Sequence, residues 1–254
     1  MPKAITTAVT TKLAPSTIQS WSHSRIVDFE SCKRKAALKY IQKIPEPERP
    51  LKPGQTEHAN DRGSRIHDAL EMFVRGNDVP YPREANSFRT EIDAMKRLFD
   101  LGKVSLEHEW GYDQDWNTVE WKTAWLRMKL DSLVFLSPRE AVAIDYKTGR
   151  KQGNEIKHGE QLMLYQLATF LRYPDLEVVH TELWYLDHDE LTHRVFTRDQ
   201  GLRFKTSWNR RGTALTTTTD FPPNPNRWSC QYCPYGDPMN GFPNGTGHCK
   251  AGKK

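Results

Sequence analysis

The sequence predicts a mixed α/β domain with a central sheet flanked by helices. Three observations point there. Apolar residues recur at helical spacing up to residue 102, the pattern turns to strand-like alternation from Val104, and a long helical segment then separates that strand group from a further pair. At 254 residues, 37% of them hydrophobic, the chain is long enough to bury a core, and eight Trp argue against wholesale disorder.

The elements follow in order. Residues 1–21, rich in Thr, Ser and Pro, read as a flexible arm. "SHSRIVDFESCKRKAALKYIQKI" reads as one helix, with Ser22 or Ser24 as N-cap, Ile26, Phe29, Leu38 and Ile41 as its apolar positions, and Cys32 in the middle. The Pro-rich loop "PEPERPLKPGQ" precedes two further helices, "ANDRGSRIHDALEMFVRG" and "REANSFRTEIDAMKRLFDLG". "VSLEHEWGY", "TAWLRMKLDSLVFL" and "EAVAIDYKT" alternate as strands. The helix "EIKHGEQLMLYQLATFLRY", the strands "EVVHTELWYLD" and "ELTHRVFTR", and a basic helix "RDQGLRFKTSWNRRG" complete a main domain over 22–212. The remainder, 213–254, is rich in Pro, Gly and Asn and lacks regular structure unless something ties it down.

No apolar run reaches the length of a membrane span, and the N-terminus has no secretory h-region, so a cytoplasmic location is expected. The net charge of +5 leans towards a polyanionic partner.

The chemistry concentrates in "AVAIDYKTGRK". Asp145 and Lys147 are two apart on a strand and therefore share a face. Burying such a pair costs several kcal/mol per ion unless something compensates. Fourteen residues earlier the preceding strand carries Asp131, which adjacent pairing can bring to the same end of the sheet. Two carboxylates that close repel unless a cation sits between them. Two acids around a divalent metal, with a lysine alongside, suit phosphodiester hydrolysis: the lysine orients the attacking water and stabilises developing charge.

"LD" on one strand and "IDYKTG" on the next resemble the PD-(D/E)XK nuclease core, in particular the RecB-like family. Two further motifs of that family are matched. "RGSRIHDALE" is similar to its Gly-x-x-x-His-x-x-x-Glu helix, with Gly63 and His67, and "GEQLMLYQLATF" to its Gln-x-x-x-Tyr helix, with Gln161 and Tyr165 on one face. The resemblance implies a restriction-endonuclease-like core. It also implies His67, Asp131, Asp145 and the Tyr146 backbone carbonyl as ligands of Mg2+ or Mn2+, Lys147 as the catalytic lysine, and Gln161 and Tyr165 lining the site. The chain departs from the family at Met128, where a small residue is usual.

The four cysteines are Cys32, Cys230, Cys233 and Cys249. In a cytosolic protein a Cys-x-x-Cys pair with others reads as a metal site sooner than as disulfides. "SHSRIVDFESCKRKAALKYI" resembles the N-terminal RecB-like motif, with Lys33 in place of the usual Pro after the cysteine. One cysteine before the core and three after it resembles the iron–sulfur subset of the family, which includes CRISPR-adaptation exonucleases, AddB-type subunits and phage exonucleases. That resemblance implies a 4Fe–4S cluster joining the N-terminal helix to the tail; the four thiolates suit zinc equally well.

The function so implied is a metal-dependent DNA exonuclease acting at DNA ends in recombination, repair or CRISPR adaptation. Its expected protein partner is a recombinase, a helicase or a CRISPR integrase, and its cytoplasm is that of the host if it is phage-encoded. A structure-specific or restriction-type endonuclease and a non-catalytic DNA-binding scaffold are the competing readings. Candidate phosphate contacts are Lys33, Arg34, Lys35, Arg203, Lys205, Arg210 and Arg211, with Lys250, Lys253 and Lys254 weaker, and Trp21, Trp228 and Tyr235 are candidates for stacking on bases.

Overall fold

The alternating segments form one six-stranded sheet in the order β2-β1-β3-β4-β5-β6. Its strands are β1 (Val104–Tyr112), β2 (Thr118–Val119), β3 (Leu126–Ser137), β4 (Glu140–Lys147), β5 (Val178–Tyr185) and β6 (Glu190–Thr197). The computed structural model describes residues 16–48, 50, 51, 53–149, 151–238 and 245–251. Every pairing is antiparallel except β4–β5, which is parallel. A parallel pair needs a crossover, and α5 (Glu155–Arg172) supplies it. The two-residue strand β2 pairs with the end of β1 and carries too short a pattern to be legible in sequence.

One face of the sheet is covered by α3 (Ala59–Val74) and α4 (Arg89–Asp100), the latter preceded by a 3-10 turn over Arg83–Phe88. Ile66, Leu70, Ile92 and Met95 pack there on Val104, Leu106, Val134, Val142, Ile144 and Tyr146. On α5, Leu162, Leu164, Leu167, Ala168 and Phe170 are buried.

By compactness the chain divides into two units. One holds 20–27 and 48–215, including the whole sheet; the other is made of residues 1–19, 28–47 and 216–254. Of the predicted arm, residues 1–15 lie outside the described residues, whereas Ile18, Ser20 and Trp21 are buried. Trp21 bridges to the start of β3, its N–H donating to the Trp125 carbonyl at 2.7 Å and its carbonyl accepting from Arg127 at 2.8 Å. Its indole stacks on Trp208 at 5.9 Å and meets Trp125 edge-on at 5.3 Å. Residues 18, 20 and 21 therefore do not belong to a flexible arm, because the large apolar side chain of Trp21 finds a pocket that short-range patterning does not reveal.

The first predicted helix is two, α1 (His23–Ser31) and α2 (Lys33–Tyr40), broken at Cys32, whose backbone is extended (φ −162, ψ 111). The basic helix likewise splits into α6 (Arg198–Leu202) and α7 (Phe204–Thr217). A Cβ at Gly212 would collide with the Trp21 indole, so α7 approaches that ring only because this position is glycine.

In the smaller unit the tail is held through backbone groups. Arg34 N–H donates to the Pro222 carbonyl, Asn224 Nδ2 to the Ser31 carbonyl, and Tyr235 Oη to the Ile44 carbonyl at 3.0 Å. The tail also forms a short helix, α8 (Arg227–Gln231), capped by the Asn226 side chain, which accepts from Ser229 N–H at 2.8 Å.

Candidate active site

The β3–β4 hairpin pairs Ser132 with Ile144, so Asp131 and Asp145 stand opposite one another one step further along. Both carboxylates are buried. Asp131 Oδ2 accepts the Tyr146 backbone N–H at 2.7 Å, and its Oδ1 lies 3.2 Å from His67 Nδ1 on α3. The His67 ring meets the Tyr146 ring edge-on at 5.6 Å.

Asp145 sits in a second set of contacts. Its Oδ2 lies 2.5 Å from Lys147 Nζ but is otherwise buried without a hydrogen bond. Its Oδ1 accepts from Gln161 Nε2 at 3.1 Å and lies 3.2 Å from Tyr165 Oη. Gln161 Oε1 accepts from Lys147 Nζ at 2.9 Å, and the Gln161 amide N–H donates to Tyr165 Oη at 2.6 Å. Tyr165 Oη also lies 2.9 Å from the Lys129 carbonyl. The four-residue spacing of Gln161 and Tyr165 thus puts both onto the Asp145 carboxylate, and Gln161 reaches the Lys147 ammonium as well.

The electrostatics follow from crowding. Burial pushes the Asp145 carboxyl above its ordinary range, Lys147 opposes that and Asp131 adds to it. Burial raises the Tyr165 phenol well above its usual value, with Asp145 reinforcing, so it acts as a neutral hydrogen-bonding group. His23 and His158 are each lowered to about 4, first by burial and next by the charge of Lys147.

The motif helix α3 is pinned near the site. Arg62 donates to the Thr148 carbonyl at 3.1 Å and grips Asp187 with two bonds of 2.8 and 2.7 Å. Gly63 faces Thr148 Oγ1, which a Cβ would meet at 3.2 Å.

Two cavities flank the carboxylates. One of about 200 Å³ is lined by Gly63, Ser64, His67, Asp68, Lys129 and Asp131. The other, about 570 Å³, lies on the Gln161 and Tyr165 side and shares Lys129 with the first. Lys129, Trp121, Arg127 and His23 were not singled out in the sequence; only Lys129, two residues before Asp131 on the same strand, carried a local signal. Met128, the departure from the family pattern, is a buried side chain that lines the larger cavity.

Among the described residues, no three His, Cys, Asp or Glu side chains already form a cage for a metal ion. The donor set nonetheless fits a hard divalent cation: two opposed carboxylates, an imidazole beside one, and a buried Asp145 oxygen whose one close partner is an ammonium.

The cysteines are all half-buried, unbridged and within the smaller unit. Asn224 N–H points at Cys32 Sγ at 3.5 Å, Cys233 N–H bonds the Cys230 carbonyl at 3.2 Å, and Cys249 N–H bonds the Tyr235 carbonyl at 2.8 Å. Burial raises the Cys233 thiol; Lys35 lowers it, while Cys249 and Cys32 push it up.

Several candidate nucleic-acid contacts are engaged within the protein. Lys35 pairs with Asp28 at 2.7 Å, and Lys33 Nζ lies 5.4 Å from the Phe29 ring centroid. Arg211 lies over Trp208 and bonds Glu160 at 3.2 Å. Arg34 is half-buried, Arg203 and Arg210 are exposed, and Lys205 and Arg210 line a separate cavity of about 440 Å³. Trp21 and Tyr235 are fully buried and cannot stack on a base, which corrects that expectation. The side chain of Trp228, with Lys253 and Lys254, lies outside the described residues.

A helix-flanked mixed sheet with two acids and a lysine at the end of a central hairpin defines a restriction-endonuclease-like α/β protein. Comparison with family models agrees: that of the PD-(D/E)XK nuclease superfamily matches residues 20–137 and 106–237, and the chain belongs to this superfamily. No curated protein matched it. The solved structure described as "Crystal structure of SSO0001" superposes with a TM-score of 0.41 at 13% identity, over 93% of this chain and 88% of that one. No helix among the described residues is long and apolar enough to cross a membrane.

Proposed function

We propose that the protein is a divalent-metal-dependent DNA nuclease of the RecB-like type, acting as an exonuclease at DNA ends in recombination, repair or CRISPR adaptation. The observation that carries this reading is the linked set Asp145, Lys147, Gln161 and Tyr165 at the end of the sheet, with Asp131 opposite Asp145 and bonded to the Tyr146 N–H and His67.

Asp131, Asp145, His67 and the Tyr146 carbonyl hold Mg2+ or Mn2+ in this reading, which when bound polarises the scissile phosphate and acidifies water. Lys147, aligned by the Gln161 carbonyl oxygen, orients the attacking water and stabilises charge developing on the phosphate. Tyr165 fixes the orientation of the Gln161 amide, so that its oxygen faces Lys147 and its nitrogen faces Asp145. Exposed Arg203 and Arg210, together with Lys205, are proposed phosphate contacts.

Cys32, Cys230, Cys233 and Cys249 are proposed to hold a 4Fe–4S cluster, with zinc as the competing occupant. Four unbridged thiols in one compact unit, one receiving a backbone N–H, support this.

The test is cleavage of end-labelled linear and closed circular DNA, single- and double-stranded, with Mg2+ or Mn2+ and with chelator. Metal-dependent loss of label from linear DNA alone is expected. Cutting of circles replaces the exonuclease with an endonuclease, and no cleavage of any substrate rejects the catalytic reading.

A further inference from the structure

The larger cavity beside the carboxylates has a composition that the hydrolytic chemistry does not require. Arg25, Arg127 and Lys129 line it together with Trp121 and His23, and among the described residues no Asp or Glu lines it. Its volume of about 570 Å³ falls within the roughly 300–1,000 Å³ typical of small-ligand sites. It also shares Gln161 and Tyr165 with the catalytic network, so whatever occupies it adjoins the reacting phosphate.

Two of its nitrogens are buried without a hydrogen-bond partner. One is Arg127 Nε; the other is His23 Nε2, whose nearest carboxylate oxygen, on Glu160, is 3.9 Å away. Buried donors and acceptors are normally satisfied, so such atoms beside a polar cavity point to a ligand. Trp121 is half-buried in the turn before β3, with the Arg127 guanidinium 5.5 Å from its ring centroid. An indole backed by a guanidinium presents its opposite face to a base.

We propose that this cavity seats one unpaired nucleotide of the DNA strand next to the scissile phosphate, with its base on Trp121 and its phosphate towards Arg127, Arg25 and His23. The proposal rests on the nuclease reading and deepens it: the enzyme engages a single strand, and a duplex must fray at its end to enter. A paired base cannot stack on Trp121, because its faces are covered by its neighbours.

Binding measured by fluorescence anisotropy in EDTA, where cleavage is stopped, tests this. The probes are a single-stranded oligonucleotide, a blunt duplex, and a single strand with abasic sites at its terminal positions. Trp121→Ala is expected to weaken binding of the intact single strand about 10-fold and to leave the blunt duplex and the abasic strand within about 2-fold. Trp121→Phe is expected to keep most of the affinity, and Arg127→Gln to reduce the salt dependence by about one counterion. Unchanged single-strand affinity in folded Trp121→Ala, or an equal loss on all three probes, overturns the proposal. If wild-type protein cleaves DNA while Trp121→Ala behaves as wild type, the nucleotide pocket fails and the nuclease reading stands. If wild-type protein neither binds nor cuts DNA, both fail.

Discussion

Lys147 Nζ lies 2.5 Å from Asp145 Oδ2, an oxygen that is otherwise buried without a hydrogen bond. The ammonium is the one cation that balances this buried oxygen among the described residues. The same lysine is tied to Gln161 at 2.9 Å, so it has a second anchor when Asp145 turns to another charge.

Lys147→Ala removes the cation from a buried carboxylate, and losing one partner of a buried pair costs about 3–5 kcal/mol. Because the Lys147 side chain is 20% exposed, the lower end of that range is expected. Added Mg2+ or Ca2+ is expected to raise the melting temperature of this variant more than that of wild type. A calorimetric titration with each ion checks this, and equal shifts in the two proteins would count against metal binding at Asp145.

For turnover, Asp145→Asn and Lys147→Ala are each expected to lower the cleavage rate by about 10²–10³-fold or more, the scale of losing a charge-stabilising group. DNA affinity in Ca2+ is expected to change by less than about 3-fold. Single-turnover cleavage alongside anisotropy separates the two quantities.

Tyr165→Phe deletes the hydroxyl that receives Gln161 Nε2 and lies beside Asp145 and the Lys129 carbonyl. A cost of about 1–3 kcal/mol in stability follows from the unpaired groups left behind. The rate is expected to fall with little change in KM, because the residue positions Gln161 rather than the strand. Urea denaturation and steady-state kinetics measure the two effects.

Gly212→Ala forces a Cβ into the Trp21 indole. Overpacking of this kind costs about 1–3 kcal/mol. The expected result is a lower melting temperature with unchanged activity per folded molecule.

Stability is expected to fall as the pH drops from 6.5 towards 4. His23 and His158 are lowered to about 4 by burial and by Lys147, with Lys157 acting on both and Arg211 on His23. In that window the unfolded chain binds more protons than the folded one, so acid favours unfolding, and the stability is fully present above 6.5. His23→Gln is expected to flatten the slope, as read from urea midpoints at pH 7 and pH 5.

Cluster-loaded protein is expected to be brown with broad visible absorbance. Cys32→Ala is expected to be colourless and to melt at lower temperature. A colourless wild type containing zinc overturns the iron–sulfur assignment.

Much of the candidate site was legible because its geometry is local. Two residues apart on a strand set Asp145 beside Lys147, and four apart on a helix set Gln161 beside Tyr165. The break at Cys32 was not legible, since the helical pattern runs through it and the extended backbone there goes with tail contacts made about 190 residues away, such as Asn224 N–H on Cys32 Sγ. Nor was the burial of Trp21, which depends on Trp125 and Trp208. The basic patch was misleading in the same way: Arg211 and Lys35 look like free charges until Glu160 and Asp28 are placed beside them.

By itself, then, the sequence determined the kinds and order of the longer elements, though not β2, α8 or the breaks within two helices, and the facing of residues two or four apart, because periodicity is a property of the backbone. Only the tertiary structure decided which hairpin step opposes Asp131 to Asp145, which cations are already paired, and that Trp121 and Arg127 share a cavity with the catalytic network. Those outcomes depend on contacts between segments distant in the chain, and their partners are set by packing.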